Sequence, residues 1–335
     1  MKIDKEEIFC AVTAYNEKFL DRMIEDAYEK AHNPDAIHFG IFNHKTEGNE
    51  FEDFSRYNNV KVINARFNEP LGAAYGRLSA SMLHDGQKYF SQMDAHLLFY
   101  KDWDKILLED FLLLKEHVDK PILAQSLVCH EASVYEDYSY QKSLIERQKA
   151  YPLCLNDNGD TSQDLSREDE EKFLGKFLEH TLMFAGTEFF TSSDYIYEIS
   201  YDPFVMYLPE QELSALRAGT RGYRFFSNGY STMSHLGKVG DFPKEKFSDD
   251  FFYHYNSNHS KSEDFYRASY ETSAYAALLG RRTGFFGAPD SKSYDDYMTR
   301  FPTPYCDTIR GVYDTVNDAY SDKENVDNVF YKDLK

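Results

Sequence analysis

The beginning of the chain combines apolar runs with one helical pattern, and this combination most limits the folds that it can adopt. Residues 8–15 form a continuous apolar run, and residues 19–30 repeat apolar side chains every three or four positions. Two further apolar runs follow at residues 37–42 and 60–65. Buried strands joined by a helix are typical of a parallel sheet with crossover connections. The sequence therefore predicts an α/β protein with a mostly parallel central sheet.

The composition is that of a protein with a large core and an acidic surface. The chain has 335 residues, of which 42% are hydrophobic and 16% are aromatic, so it can bury a substantial core. Its formal net charge of −20 argues against a protein whose whole surface binds nucleic acid or anionic membrane. A local basic groove stays compatible with this charge.

The cysteines and the first residues of the chain indicate the compartment. The four cysteines are scattered and form no Cys-x-x-Cys pair, so neither a disulfide framework nor a zinc knuckle is predicted. The first residues lack the apolar stretch of a signal peptide. No uncharged apolar run reaches the roughly 18 residues that a membrane-spanning helix needs. We therefore expect a soluble cytoplasmic protein.

Residues 89–99 carry the clearest indication of chemistry. An apolar run, expected to form a buried strand, leads into Asp94 and His96, and a second apolar run follows. Residues i and i+2 of a strand point to the same side, so these two side chains can converge on one point. They suit a divalent cation such as Mn²⁺ or Zn²⁺, provided that a third protein group or a phosphate completes the coordination. The alternative is a strand end with a solvated aspartate and a histidine that caps the next turn.

A second group of polar residues is predicted at the same edge of the sheet. Ligands of parallel sheets bind beyond the carboxyl ends of the strands, where residues 15–17 lie together with Asp94 and His96. Between these groups a helix begins near Gly72, where backbone N–H groups can approach a phosphate. Arg77 could add a bidentate contact to a diphosphate. The alternative for this segment is an ordinary helix cap with a surface arginine.

The rest of the chain predicts further elements and one insertion. We expect one domain over residues 1–300 and a peripheral C-terminal segment over residues 301–335. Residues 121–128 predict a strand, and residues 211–218 predict a helix. Residues 134–178 are rich in Tyr, Glu, Lys and Asp. We interpret them as an insertion over the rim of the sheet, near the acceptor side of the site.

Several motifs recur at the intervals of one known family. An arginine, an Asp-x-His pair and a Trp-Asp pair are followed by a Tyr-Asp-Pro triplet and a glutamate, and His235 lies eighteen residues after Arg217. With these motifs the chain resembles the cytoplasmic polypeptide α-N-acetylglucosaminyltransferases that act on hydroxyproline. It is more distantly similar to the polypeptide N-acetylgalactosaminyltransferases. The matching residues are Arg77, Asp94, His96, Trp103, Asp104, Tyr201, Asp202, Pro203, Glu210, Arg217, Gly222 and His235.

The resemblance implies a fold and a reaction. The fold is GT-A, a Rossmann-like fold, and the reaction is a retaining, metal-dependent transfer of a sugar from a UDP-sugar. Asp94, His96 and His235 would hold Mn²⁺ or another divalent cation, with diphosphate oxygens and water completing the coordination. Arg77 would share the charge of the UDP leaving group. Glu210 would orient the acceptor or the sugar, and UDP itself would take the acceptor proton in a front-face displacement.

The resemblance also implies where the nucleotide and the donor sugar bind. Thr13, Tyr15 and Glu17 would contact the nucleotide together with Arg77 and Asp94. Gly186 would let the donor sugar approach the backbone closely. The chain departs from the family pattern near these pockets, which leaves the sugar and the acceptor open. The departing residues are Asn16, Glu17, Ala73, Gly76, Pro209 and Gln211.

Alternatives to these roles stay open. His254 and His259 compete with His235 for the place of the third ligand. Glu210 could be a structural charge at a helix N-terminus, and Asp202 could be a turn residue.

Three functions are compatible with the sequence. The first is transfer to a protein hydroxyl. The second uses the same donor chemistry on a hydroxymethylated base in DNA, with a basic surface from Arg217, Arg221, Arg224, Arg281 and Arg282. The third is a sugar-nucleotide-binding protein without activity, which is less favoured because all the implied ligands and Glu210 are present.

Overall fold

The structure is a computed structural model that covers most of the predicted sheet and the helices around it. It describes residues 6–68, 71–124, 128–130, 154–155, 161–162, 173–174, 177–180, 188–205, 210–227, 231–236, 276–277, 280 and 283–299.

The first half of the described chain contains three α-helices, each of which lies between two strands. The strands are β1 (Ile8–Tyr15), β2 (Ile37–Lys45), β3 (Val60–Arg66), β4 (Tyr89–Asp94), β5 (Leu97–Phe99), β6 (Pro121–Ala124), β7 (Val128–His130), β8 (Cys154–Leu155), β9 (Thr161–Ser162), β10 (Phe173–Leu174), β11 (Phe177–His180), β12 (Phe189–Ser192), β13 (Arg224–Ser227) and β14 (Met233–Leu236). The α-helices are α1 (Leu20–Lys30), α2 (Ala73–Ser81), α3 (Trp103–Lys115), α4 (Asp194–Ile199), α5 (Glu210–Gly219) and α6 (Ser291–Met298), and Pro34–Ala36 form a 3-10 turn.

A nine-stranded sheet forms the centre of the protein, with the strand order β10-β11-β13-β6-β12-β4-β1-β2-β3. The strands β4, β1, β2 and β3 pair in parallel. The strands β11 and β12 run antiparallel to both of their neighbours, so the other seven strands share one direction. The predicted α/β fold with a mostly parallel sheet is therefore confirmed. Residues 46–59, between β2 and β3, form turns rather than a crossover helix.

Alternate residues of β1 point to opposite faces of the sheet and enter two separate cores. Ile8, Cys10 and Val12 pack in the core that also contains residues of α1 and α3. Phe9 and Ala11 pack in the core that contains residues of α2 and α5. Because β1 is buried on both faces, its sequence is a continuous apolar run rather than an alternating one.

A small three-stranded sheet, in the order β5-β14-β7, lies next to the end of β4. In it β14 pairs antiparallel with β5 and parallel with β7. The strand β5 is fixed to α1 by Asp26, whose buried carboxylate accepts a hydrogen bond of 2.7 Å from the backbone N–H of Phe99. The strand predicted over residues 121–128 is confirmed for Pro121–Ala124 as β6, whereas Val128 belongs to β7 of the small sheet.

Several predictions lie largely outside the described residues. Within residues 134–178 the structure describes short strands, of which β8 and β9 pair antiparallel. Residues 301–335 are not described, so the insertion and the domain boundary stay predictions.

The helix predicted over residues 211–218 is confirmed as α5. Among the described helices, none is long and apolar enough to cross a membrane.

Candidate metal and nucleotide site

Asp94, His96 and His235 come together at the carboxyl end of β4. Asp94 is the last residue of β4, and His96 lies in the short turn between β4 and β5. His235 lies on β14, where it is paired with Leu97 of β5. The small sheet thus brings His235, which is distant in the sequence, next to the Asp-x-His pair.

The three side chains fit a divalent cation in geometry and in chemistry. Nε2 of His235 lies 3.1 Å from Nε2 of His96 and 3.1 Å from Oδ2 of Asp94. One ligand atom from each residue lies within 4.8 Å of the other two. Adjacent ligands of an octahedral ion with bonds of about 2.2 Å are about 3.1 Å apart. The side chains are 21–23% exposed, so an ion and a further ligand can reach them.

The electrostatics of the cluster keep the aspartate ionised. Burial on its own would raise the pKa of the Asp94 carboxyl, but the hydrogen bond with His235 and the charge of Arg77 outweigh burial. These partners hold the pKa of Asp94 well below its usual range. Burial would lower the pKa of His235, but the hydrogen bond with Asp94 and the buried carboxylate of Glu188 raise it above its usual value.

Arg77 connects the candidate metal ligands to Glu210. Arg77 lies on α2 and is buried, and its Nη1 donates to Oε1 of Glu210. Its Nη2 is 3.5 Å from Oδ1 of Asp94. Glu210 begins α5 and is also buried, and its Oε2 has no hydrogen-bond partner among the described residues. The surface arginine considered from the sequence is therefore instead a buried bridge between two carboxylates.

The departure from the family pattern at Gly76 has a steric reason. A Cβ atom at this position would lie 2.2 Å from Cγ2 of Thr13 on β1. Gly76 therefore lets α2 approach β1 closely, which places the next residue, Arg77, over the end of β4. Gly72 precedes the helix with φ of +87°, a conformation that favours glycine.

The residues implied for the nucleotide occupy the ends of β1 and β2. Thr13 is paired with Asp94 across neighbouring strands, and its Oγ1 has no hydrogen-bond partner in the described part of the chain. Tyr15 packs edge-on against His44, with ring centroids 4.8 Å apart. Gly186 lies outside the described residues, as do His254 and His259.

Glu17, which the resemblance implies as a nucleotide contact, lies beside the candidate ligand His96. Its Oε2 lies 2.8 Å from Nδ1 of His96. Its Oε1 accepts hydrogen bonds from the backbone N–H groups of Lys18 and Phe19, at 2.9 and 3.1 Å. Sequence reasoning missed this contact with His96; the one available signal was the position of Glu17 directly after a strand of the parallel sheet.

Two other motifs that match the family, the Trp-Asp pair and the Tyr-Asp-Pro triplet, make hydrogen bonds within the protein. Nε1 of Trp103 donates to the carbonyl of Ala27 at 2.9 Å, and Trp103 is fully buried. Asp104 accepts hydrogen bonds from the backbone of His32 and Asn33. The Trp-Asp pair thus fixes α3 to α1 and to the chain that follows α1. Asp202 accepts a hydrogen bond from the backbone N–H of Phe204 within a turn, as the alternative interpretation of Asp202 proposed.

Three of the five arginines considered as a DNA-binding surface are described, and all three are engaged within the protein. Arg217 is fully buried, and burial lowers its pKa to about 10. Arg221 donates to the carbonyls of Gly287 and Gly284. Arg224 forms a bidentate ion pair with Glu179, with distances of 2.5 and 2.6 Å. Arg281 and Arg282 lie outside the described residues.

Comparisons with known proteins agree with this fold. A solved structure of GalNAc-T7 with UDP, GalNAc and Mn²⁺ matches with a TM-score of 0.54 and 13% sequence identity. The match covers 88% of this chain and 55% of that chain, so this chain corresponds to about half of its length. At this identity the likeness shows the GT-A fold alone. Among curated proteins no sequence matches the chain significantly.

A family model extends the comparison from the fold to the sequence. The model of the glycosyltransferase (GlcNAc) family matches residues 43–264. This region is more than half of the chain, and it contains Asp94, His96, Glu210 and His235. The match does not distinguish the cytoplasmic hydroxyproline enzymes from other members. The chain belongs to the glycosyltransferase (GlcNAc) family.

Proposed function

We propose that this protein is a metal-dependent, retaining glycosyltransferase that moves a sugar from a UDP-sugar to a hydroxyl group of a protein. The observation that carries this proposal is the convergence of Asp94, His96 and His235 beside the buried pair of Arg77 and Glu210. The glycosyltransferase family of the chain supplies the reaction class. The resemblance to cytoplasmic enzymes and the scattered cysteines support a cytoplasmic location as part of the proposal.

The three ligand candidates would hold Mn²⁺ or a similar cation. Two imidazoles and a carboxylate are a donor set that such ions accept, and the atoms are spaced as adjacent ligands. A bound cation would act as a Lewis acid that neutralises charge on the diphosphate.

Arg77 is suited to share the charge of the departing diphosphate. A guanidinium has five N–H donors, and the two contacts to Glu210 and Asp94 leave others free to bind phosphate oxygens. The contact to Asp94 is long, at 3.5 Å, so a phosphate oxygen can replace Asp94 as the partner of Nη2 at little cost. The burial of Arg77 strengthens any contact with a phosphate, because the surroundings are less polar than water.

Glu210 is suited to orient a hydroxyl group. Its Oε1 is held by Arg77, which leaves the buried Oε2 able to accept from a hydroxyl of the sugar or of the acceptor. The acceptor oxygen would form its bond to the anomeric carbon while the bond from that carbon to the UDP phosphate breaks. The phosphate oxygen that receives the bonding electrons would take the acceptor proton. Thr13, Tyr15 and Gly186 would contact the nucleotide and the donor sugar.

DNA with a hydroxymethylated base is a weaker candidate acceptor. The three described arginines that could form a basic surface are buried, bonded to carbonyls or paired with a carboxylate. The net charge of −20 also disfavours binding to the extended phosphate backbone of DNA.

A panel of UDP-sugars, with and without Mn²⁺, tests the proposed function. We expect Mn²⁺-dependent binding and slow release of UDP without an acceptor, and mass spectrometry of candidate protein acceptors should show the added sugar. Binding without turnover for any sugar or acceptor would contradict the proposal and favour a binding protein. A salt-sensitive shift of duplex DNA, followed by its glycosylation, would move the acceptor from protein to DNA.

A further inference from the structure

We propose that Glu17 is a positioning residue of the metal centre, which fixes the tautomer of His96 so that Nε2 of the ring faces the cation. The inference rests on the proposed function, since it concerns the same centre. Its central contact is the 2.8 Å distance between Oε2 of Glu17 and Nδ1 of His96. Glu17 is 8% exposed, so water competes little for this contact.

The other contacts of Glu17 show that its carboxylate acts as an acceptor. Oε1 accepts from the backbone N–H groups of Lys18 and Phe19, just before α1 begins. Backbone N–H groups only donate, and the N-terminal end of a helix favours a negative charge. These contacts favour a carboxylate that only accepts, and an imidazole nitrogen is more basic than a carboxylate oxygen. The proton of this hydrogen bond must lie on Nδ1 of the ring.

A proton on Nδ1 determines what the other ring nitrogen can do. In a neutral imidazole one nitrogen donates and the other carries a lone pair. With Nδ1 as the donor, the lone pair of His96 is on Nε2. That atom lies 3.1 Å from Nε2 of His235, inside the cluster with Asp94. Glu17 thus selects the form of His96 that can bind a cation at the place where the other two ligands converge.

Glu17 is itself held in place by residues of β2 and the loop that follows it. Nζ of the buried Lys45 donates to the backbone carbonyl of Glu17 at 2.9 Å and to Oε1 of Glu52 at 2.7 Å. Oε2 of Glu52 accepts from Nδ2 of Asn43 at 2.8 Å. These contacts fix the backbone of Glu17 independently of its carboxylate. The geometry between Glu17 and His96 is therefore preorganised by the fold.

Two substitutions separate this role from a structural one. In Glu17→Gln the amide oxygen is needed by the two backbone N–H groups, so the NH₂ group faces Nδ1 of His96. Nδ1 must then accept and the proton moves to Nε2, so the ring can bind a cation there only after it breaks this hydrogen bond and shifts the proton. Glu17→Ala removes the partner of His96 but leaves its tautomer free. It also removes both contacts at the start of α1, which the Gln variant keeps.

The two variants should therefore rank in opposite orders in two measurements. The affinity for Mn²⁺, measured on the full chain with UDP by the loss of the free Mn²⁺ electron paramagnetic resonance signal, should be lower in Glu17→Gln than in Glu17→Ala. We expect a loss of about 10–100-fold in the Gln variant. Thermal stability should be lower in Glu17→Ala. The exposed Glu109→Gln serves as a control that changes neither.

The spectrum of the metal-free protein tests the tautomer directly. Nitrogen-15 spectra of labelled histidine, with His96 assigned by substitution, should show the proton on Nδ1 in the unsubstituted protein and on Nε2 in Glu17→Gln. Unchanged Mn²⁺ affinity in Glu17→Gln, or an affinity that follows stability across the two variants, would overturn the proposal. An unsubstituted protein that binds no Mn²⁺ would overturn the metal centre instead. A His96 tautomer that does not change between the two proteins would overturn the role of Glu17 by itself.

Discussion

The guanidinium of Arg77 donates to the carboxylate of Glu210, and both side chains are buried, at 7% and 4% exposure. The two residues lie on different helices, α2 and α5, which pack on the same face of the sheet. The same guanidinium is 3.5 Å from Asp94. One arginine therefore links the candidate metal centre to the residue proposed to orient the reacting hydroxyl.

Removing Arg77 should be costly for stability because Glu210 would keep a buried charge without a partner. We expect Arg77→Met to lower the free energy of unfolding by about 3–5 kcal/mol. Adding Glu210→Gln to Arg77→Met should recover part of this loss, since a neutral amide needs no counter-charge. Urea unfolding of the two single variants and the double variant gives the coupling energy. Strictly additive effects would show that the two side chains do not stabilise each other.

The proposed role of Glu210 predicts an effect on turnover rather than on nucleotide binding. Glu210→Gln should lower the turnover number on the order of 100-fold, because a misplaced acceptor or sugar reduces reactive alignment. UDP affinity, measured by titration calorimetry with Mn²⁺, should change far less. Glu109→Gln, an exposed glutamate on α3, is the matched control. Unaltered turnover in Glu210→Gln would reduce Glu210 to a structural partner of Arg77.

His235 should be essential for metal-dependent nucleotide binding. His235→Ala removes one of three ligands, and we expect Mn²⁺-dependent UDP affinity to fall by more than the ~10–100-fold that indirect changes around a metal site cost. Circular dichroism should show an intact fold, because the polar contacts of this 21% exposed side chain are to the other two candidate ligands. His117→Ala, an exposed histidine after α3, serves as the control. Equal metal affinity in His235→Ala would remove this residue from the site.

His44 should make the protein less stable in mild acid. Burial lowers its pKa below 6.5, although the hydrogen bond between its Nε2 and the carbonyl of Phe67 opposes this shift. The unfolded chain then binds more protons than the folded one, so stability is present above pH 6.5 and falls as the pH drops below it. In His44→Phe the loss of unfolding free energy between pH 7 and pH 5 should be smaller than in the unsubstituted protein. The same slope in both proteins would contradict this assignment.

The sequence was most informative where the pattern is local. The apolar run of β1 predicted a strand buried on both faces, and the spacing of Asp94 and His96 predicted side chains that converge. The first follows from the geometry of a single strand. The second relied on a strand that continues to His96, whereas β4 ends at Asp94 and His96 lies in the turn that follows. The place of His235 followed only from its interval to Arg217, because no local pattern shows that β14 pairs with β5.

Contacts between distant side chains could not be predicted. Glu17 and His96 are 79 residues apart, and Arg77 and Glu210 are 133 residues apart. Composition and periodicity give no information on which of many charged residues become buried partners. Arg217 shows the same limit, because it was considered as part of a basic surface and is fully buried. Its burial depends on the packing of α5 against the sheet.

The pairing of β14 with β5 has a consequence for how the chain can vary. His235 faces the Asp-x-His pair because it lies opposite Leu97. Shifting one strand by a single residue turns every side chain to the other face. Length changes in the loops around this small sheet can be absorbed, whereas one residue inserted between Met233 and His235 would turn the imidazole away from its partners while leaving the large sheet intact.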